Sequence, residues 1–181
     1  MKIIVGIIAL LVFTSCADLE KSGQLERISA LETSLDSIQT TFNEFKIDSI
    51  SSMSLQAYAV ENRIKTYYVC DTINMALGRK MDAYKVMRKK FTPMGKGGTA
   101  ITKGIEEERI KLTSLATDIK NGSGKRNKYN EYIDFEKEKV SQIRSLLNEY
   151  MENREYCLKT FDELHEELET FSLELRDKGE Q

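Results

Sequence analysis

Residues 140–175 read VSQIRSLLNEYMENREYCLKTFDELHEELETFSLEL. Within them Val140, Ile143, Leu147, Tyr150, Arg154, Cys157, Phe161, Leu164, Leu168, Phe171 and Leu175 recur at alternating three- and four-residue spacing. An apolar repeat of about 3.5 residues holds one stripe of a helix against a neighbouring helix, so this stretch specifies helix-on-helix packing. Arg154 is the one charged residue on the stripe. Composition agrees: a single Pro, no Trp and 31% charged residues favour helices over sheet, and 40% apolar residues are enough to bury an interface.

Working outward, Ile28, Leu31, Leu35, Ile38, Phe42 and Phe45 form a second seam of the same kind. A third runs through Ala57, Val60, Ile64, Tyr67 or Tyr68, Cys70, Ile73, Leu77, Tyr84, Met87 and Phe91. A fourth holds Ile101, Ile105, Leu112, Leu115 and Ile119, with Glu108 at its polar position. The serine-rich residues 48–52 lack Gly and Pro and read as a weak spot in a helix rather than a turn. Thr92-Pro93-Met94-Gly95-Lys96-Gly97-Gly98 reads as the main turn, because Pro has no N–H to donate and glycines open the backbone; Thr99 is then the N-cap of the next helix. Asn121-Gly122-Ser123-Gly124 reads as a helix C-cap and short loop.

These pieces predict an all-α fold, an elongated antiparallel helical hairpin or coiled-coil-like bundle of three or more helices. If the glycines at 122 and 124 reverse the chain, an up-down-up three-helix bundle results, and the last helix overshoots residue 91. If they only break the helix, residues 100–178 run back along residues 19–91 with matching lengths, and the 140–175 seam falls beside the 28–45 seam. Length matching favours this second form, a hairpin of roughly 100 Å at ~1.5 Å per residue. Both forms hold Cys70 and Cys157 much further apart than the ~7 Å a disulfide tolerates between Cα atoms, so no bridge is expected.

The N-terminus sets the compartment. Lys2 precedes an apolar run from Ile3 to Phe13, then Thr14, Ser15 and Cys16, the layout of a secretory signal. The run is far shorter than the ~20 residues needed to span a bilayer. Phe13-Thr14-Ser15-Cys16 resembles the lipobox of bacterial lipoproteins, which implies cleavage before Cys16 and acylation of its sulfur. Two or three acyl chains at about 0.8 kcal/mol per buried CH₂ give a stable anchor, and Ala17 after the cysteine favours the outer membrane by that family's sorting rule. The expected organisation is a lipoprotein signal peptide (1–15), a lipidated tether (16–24) and a helical domain (25–181) in the cell envelope.

Charge is segregated. Between Arg79 and Lys103 stand Arg79, Lys80, Lys85, Arg88, Lys89, Lys90, Lys96 and Lys103 against the single acid Asp82, while residues 149–180 hold eleven acids and four bases. In the hairpin the basic stretch is the tip and the acidic stretch lies beside the lipidated end. Cations at a helix C-terminus complement its macrodipole, which accounts for Arg88, Lys89 and Lys90. A basic tip also suits an anionic partner such as an envelope polymer or an acidic protein face. Nucleic acid is not expected, since no recognisable binding fold is present, and homo-oligomerisation is open.

No catalytic set, metal site or cofactor is expected. His165 is the only histidine and reads as an exposed helix residue; Asp162 and Glu169 lie a turn away. Gly95-Lys96-Gly97-Gly98-Thr99 lacks the hydroxyl residue directly after Lys, has Lys90 where the first Gly of a phosphate loop should be, and follows a helix rather than a strand. The expected role is therefore non-enzymatic: a membrane-anchored helical interaction module, with a periplasmic chaperone-like client-binding protein as the alternative.

Overall fold

In the computed structural model, residues 2–70 and 74–179 are described, with side chains from Leu19 onward. The chain is all-α: α1 (Lys2–Phe45), α2 (Ile50–Tyr67), α3 (Met75–Asn121), a single 3₁₀ turn (Arg126–Lys128) and α4 (Tyr129–Gly179). No strand occurs among the described residues. The lipobox-like Phe13-Thr14-Ser15-Cys16 has side chains outside the described set.

The chain forms two compact units, and α3 and α4 contribute to both. Unit 1 joins residues 1–43 with 101–145, and unit 2 joins 44–100 with 146–181. In unit 1, Lys21 reaches the Lys120 carbonyl and Asp36 pairs with Arg109, so α1 and α3 are antiparallel. Arg27 contacts Asn130 and Asp134 and Ser34 contacts Arg144, so α1 and α4 are parallel. In unit 2, Glu61 pairs with Arg88 across α2 and α3 in the antiparallel sense, and Arg63 of α2 meets Ser172 of α4 in the parallel sense. Each unit is thus a three-helix bundle with up-down-up topology. Ile28, Leu35, Ile38, Leu112, Ile133 and Val140 are buried in unit 1; Val60, Tyr84, Met87, Phe91, Cys157 and Leu168 are buried in unit 2.

The reversal expected at residues 92–98 is absent: α3 runs straight through Pro93, Gly95, Gly97 and Gly98. Thr99 is no N-cap; its hydroxyl bonds the Gly95 carbonyl one turn back. The reason is an unbroken seam. Tyr84, Met87, Phe91, Met94, Ile101, Ile105, Glu108, Leu112, Leu115 and Ile119 are all buried, and with Gly98 filling the gap they keep the three-four alternation throughout. Proline in a helix costs about 3 kcal/mol and each glycine about 1. Burying Phe91, Met94 and Ile101 returns about 1.5–3 kcal/mol each, which offsets that cost.

The chain turns instead at three other places. Residues 46–49 separate α1 from α2, a true break where only a weak spot was expected. Helix α2 ends at Tyr67 and α3 begins at Met75, so the expected stripe through Cys70 does not form: Cys70 is exposed, and Ile73 lies outside the described residues. The Asn74 side chain accepts hydrogen bonds from the N–H groups of Ala76 and Leu77, both at 3.1 Å, capping α3. The third turn follows Asn121 and reverses the chain rather than merely interrupting a helix. Gly122 (φ 66°) donates to the Ile119 carbonyl and Ser123 to the Asp118 carbonyl, the paired bonds of a Schellman cap, whose left-handed residue favours glycine. Tyr129 Oη then donates to the Asp118 and Ser123 carbonyls at 3.0 and 2.5 Å, tying the start of α4 to the end of α3.

With α3 starting at Met75, α3 and α4 have 47 and 51 residues. Within each unit α3 and α4 are antiparallel, and the turn that joins them lies at 122–128 instead of 92–98. The overshoot that argued against a three-helix bundle disappears. The 140–175 ridge does not lie wholly beside residues 28–45: Val140 and Ile143 belong to unit 1, while Cys157 and Leu168 pack in unit 2 with α2 and α3.

Candidate functional site

The antiparallel run of α3 against α2 and α4 in unit 2 places its basic residues beside the acidic run of α4. The eight bases therefore do not form a hairpin tip. They divide into neutralised and outward-facing groups. Lys80 pairs with Glu167 (2.6 Å to Oε2), Arg88 with Glu61, and Lys90 donates to Asn153 Oδ1 at 2.7 Å while lying over the Tyr156 ring. Lys103, in unit 1, pairs with Glu107 one turn on. Arg79, Lys85, Lys89 and Lys96 are exposed. Lys85, Lys89, Thr92 and Lys96 keep a four-three-four spacing, so they share one outer stripe of α3 in unit 2.

Beneath that stripe lies a buried ionic centre. Glu61 is 1% exposed, yet it takes hydrogen bonds from both Lys65 (2.6 Å) and Arg88. Burial on its own would raise its carboxyl pKa; the bonds from Lys65 and Arg88 outweigh it and hold the group below its ordinary value. Arg88 also stacks over the Tyr58 ring, 5.6 Å from its centroid. Glu61 stands between Val60 and Ile64 on the buried face of α2, four residues before Lys65; that placement was the available signal.

His165 is half-buried rather than exposed. Its Nδ1 lies 2.6 Å from Tyr84 Oη, its Nε2 3.3 Å from Glu169, and its ring 4.1 Å from the Phe161 ring. Burial lowers its pKa, Arg63 adds to the lowering, and Glu169 acts the other way. The neutral ring then accepts from Tyr84 at Nδ1 and donates to Glu169 from Nε2. Arg63 joins this network through Ser172 at 2.9 Å. The group links α2, α3 and α4. Both ring nitrogens of His165 are thus engaged within unit 2.

Unit 1 holds a different centre. Glu108, 2% exposed, faces the Glu136 carboxyl across α3 and α4, and Lys111 approaches it at 3.6 Å. Glu108 Oε1 and Glu136 Oε2 are buried without another hydrogen-bond partner. Burial and the neighbouring carboxyl push Glu108 up to about 7.

Cys157 is buried, its Sγ 3.7 Å from the Met87 carbonyl, and burial pushes its thiol up to about 11; no disulfide joins it to Cys70. Among the described residues no group of three or more His, Cys, Asp or Glu side chains is placed to hold a metal ion, and no helix is long and apolar enough to cross a membrane. A groove of about 710 Å³ in unit 2 is lined by the first turns of α3 and by α4 from Asp162 to Glu174.

No protein-family model, curated protein or solved structure matches the chain.

Proposed function

We propose that the chain is a membrane-anchored helical interaction module of the bacterial cell envelope, tethered by lipid on Cys16, probing anionic partners with the outer face of α3. The observation that carries the reading is the sorting of charge on that helix. Lys80, Arg88 and Lys90 are each engaged by a partner within unit 2, whereas Lys85, Lys89 and Lys96 are exposed along one stripe. A row of three lysines with Thr92 between them, and a single acid, Asp82, one turn before the row, attracts anions over about one Debye length, ~8 Å at physiological salt. The lipobox-like sequence supports the tether, and its Ala17 the outer-membrane location.

Cosedimentation of residues 17–181 with phosphatidylglycerol-containing vesicles tests the face. Binding at low salt should fall steeply with added salt and be lost when Lys85, Lys89 and Lys96 are all changed to Glu. Unchanged binding in that variant refutes the reading. Arg88 and Lys90 are unsuitable targets because each contributes to the internal structure. Fractionation of a Cys16→Ser full chain tests the tether, which predicts its release from the membrane fraction.

A further inference from the structure

The groove between α3 and α4 has the opposite charge. Its rim on α4 carries Asp162, Glu166 and Glu174, and its floor is apolar, with Leu77 from α3 and Phe171 from α4. We infer that this groove docks a cationic amphipathic helix of a partner protein, its basic side chains paired with the α4 rim and an apolar side chain seated on Leu77 and Phe171.

Three observations carry the assignment. First, the run of the acids: Asp162 and Glu166 stand about one turn apart on α4 and Glu174 lies about two turns further along, a run of about 18 Å at 1.5 Å per residue, or roughly three helical turns. A docked helix presents its own i, i+4 side chains at the same interval.

Second, the rim is under-neutralised. Asp162 and Glu166, like Glu163 and Glu167, are like-charge pairs at i, i+4, an arrangement that destabilises a helix. Lys80 is the only base lining the groove among the described residues, and it is engaged by Glu167. The positive end of the α3 dipole fades within its first turn, where the Asn74 side chain already serves the Ala76 and Leu77 N–H groups. A cationic ligand relieves all of these repulsions together.

Third, the volume of about 710 Å³ is in the range of sites that receive several side chains. The apolar floor asks for more than a lone cation. The chain's own lysine stripe has Thr92 between Lys89 and Lys96, which matches the rim but not the floor, so a second copy is a poorer occupant. This surface is distinct from the lysine stripe, and either can fail without the other.

The test uses the mature chain and three labelled three-turn helical peptides: Lys at i, i+4 with Leu between, the same with Ser for Leu, and the same with Glu for Lys. Fluorescence anisotropy should show binding of the Lys/Leu peptide, at least tenfold weaker binding of the Lys/Ser peptide and none of the Glu/Leu peptide. Changing Asp162→Asn, Glu166→Gln and Glu174→Gln together should weaken the Lys/Leu peptide at least tenfold, with the helical circular dichroism spectrum retained. Neutralising Glu26, Glu106 and Glu138, exposed acids of unit 1, should change nothing. The inference is overturned if the two triple variants behave alike, if the Lys/Ser peptide binds as well as the Lys/Leu one, or if light scattering shows self-association that only the groove variant abolishes.

Discussion

Arg154 of α4 closes the end of α1: its Nε donates to the Phe45 carbonyl at 2.8 Å, and its guanidinium lies 5.3 Å from the centroid of the Phe45 ring. The last carbonyls of a helix have no partner within it, and a cation there satisfies one while complementing the dipole. Four residues of α4 earlier, Tyr150 Oη accepts the Ile47 N–H at 2.8 Å. The one charged position in the α4 seam is thus the fastener of the break between α1 and α2. Arg154→Met keeps the bulk and removes the donor. It should lower stability by about 1.5–3 kcal/mol, as for a hydrogen bond to a charged group. Urea denaturation would show this as a lower midpoint; a midpoint unchanged from wild type would mean that the bond adds nothing.

The continuity of α3 through Pro93 is open to a direct test of sign. A Cβ at Gly97 meets nothing within 4 Å, and its φ is ordinary, so Gly97→Ala should stabilise by about 0.5–1 kcal/mol through the helix propensity gained. Pro93→Ala restores an N–H for the Lys89 carbonyl one turn back and should stabilise as well, by up to about 3 kcal/mol. A turn at 92–98 gives the reverse sign for both. Thermal melts followed by circular dichroism decide it: a fall in Tm for both variants would mean the helix is interrupted there.

Residue by residue, the seams were the legible part of this chain and the turns were not. The heptad positions of α4 and of α1 beyond residue 28 were readable because burial requires regular spacing. Met94 and Gly98 continue the same alternation between Phe91 and Ile101, but Pro93 and three glycines, strong local signals, hid it. Tertiary burial overrode local propensity here. At residues 46–49 the error ran the other way: no Gly or Pro marks that break, because Tyr150 and Arg154 of a distant helix satisfy its backbone. Asn74 was a cap signal in plain view. The buried Glu61 and His165 were harder to see, since which side of a helix is covered depends on where the neighbouring helices turn.

In unit 2, acid should be destabilising at two stages. His165 has its pKa lowered below the ordinary 6.5, so between the two values the unfolded chain binds a proton that the folded one does not. Its contribution is complete above about 6.5 and is lost as pH falls from there toward the folded value. Glu61, lowered below 4.5, adds stability above that value and loses it as pH falls through its own folded pKa. Because the chain has one histidine, its NMR titration is unambiguous. The midpoint should lie below 6.5, and Arg63→Gln should raise it by removing a neighbouring cation. A midpoint at or above 6.5 would contradict the burial and the Tyr84 bond together.

Unit 1 should respond to pH in the opposite direction. Glu108 faces Glu136 from α4 and Lys111 from its own helix; α1 contributes the buried Leu35 and Ile38 near the level where Asp36 pairs with Arg109. With its pKa raised from 4.5 to about 7, Glu108 holds a proton in the fold that the unfolded chain releases. That stabilisation is complete below 4.5 and disappears as pH rises through 7, a swing of roughly 3 kcal/mol at 1.36 kcal/mol per pKa unit. Glu108→Gln supplies a permanent donor to Glu136 without a proton to lose. Its stability should match wild type near pH 5 and exceed it at pH 8, with amides of residues 101–145 better protected from hydrogen exchange at the higher pH. Parallel pH profiles for the two proteins would show that Glu108 holds no extra proton in the fold, and that the α3–α4 contact at this level rests on its apolar neighbours alone.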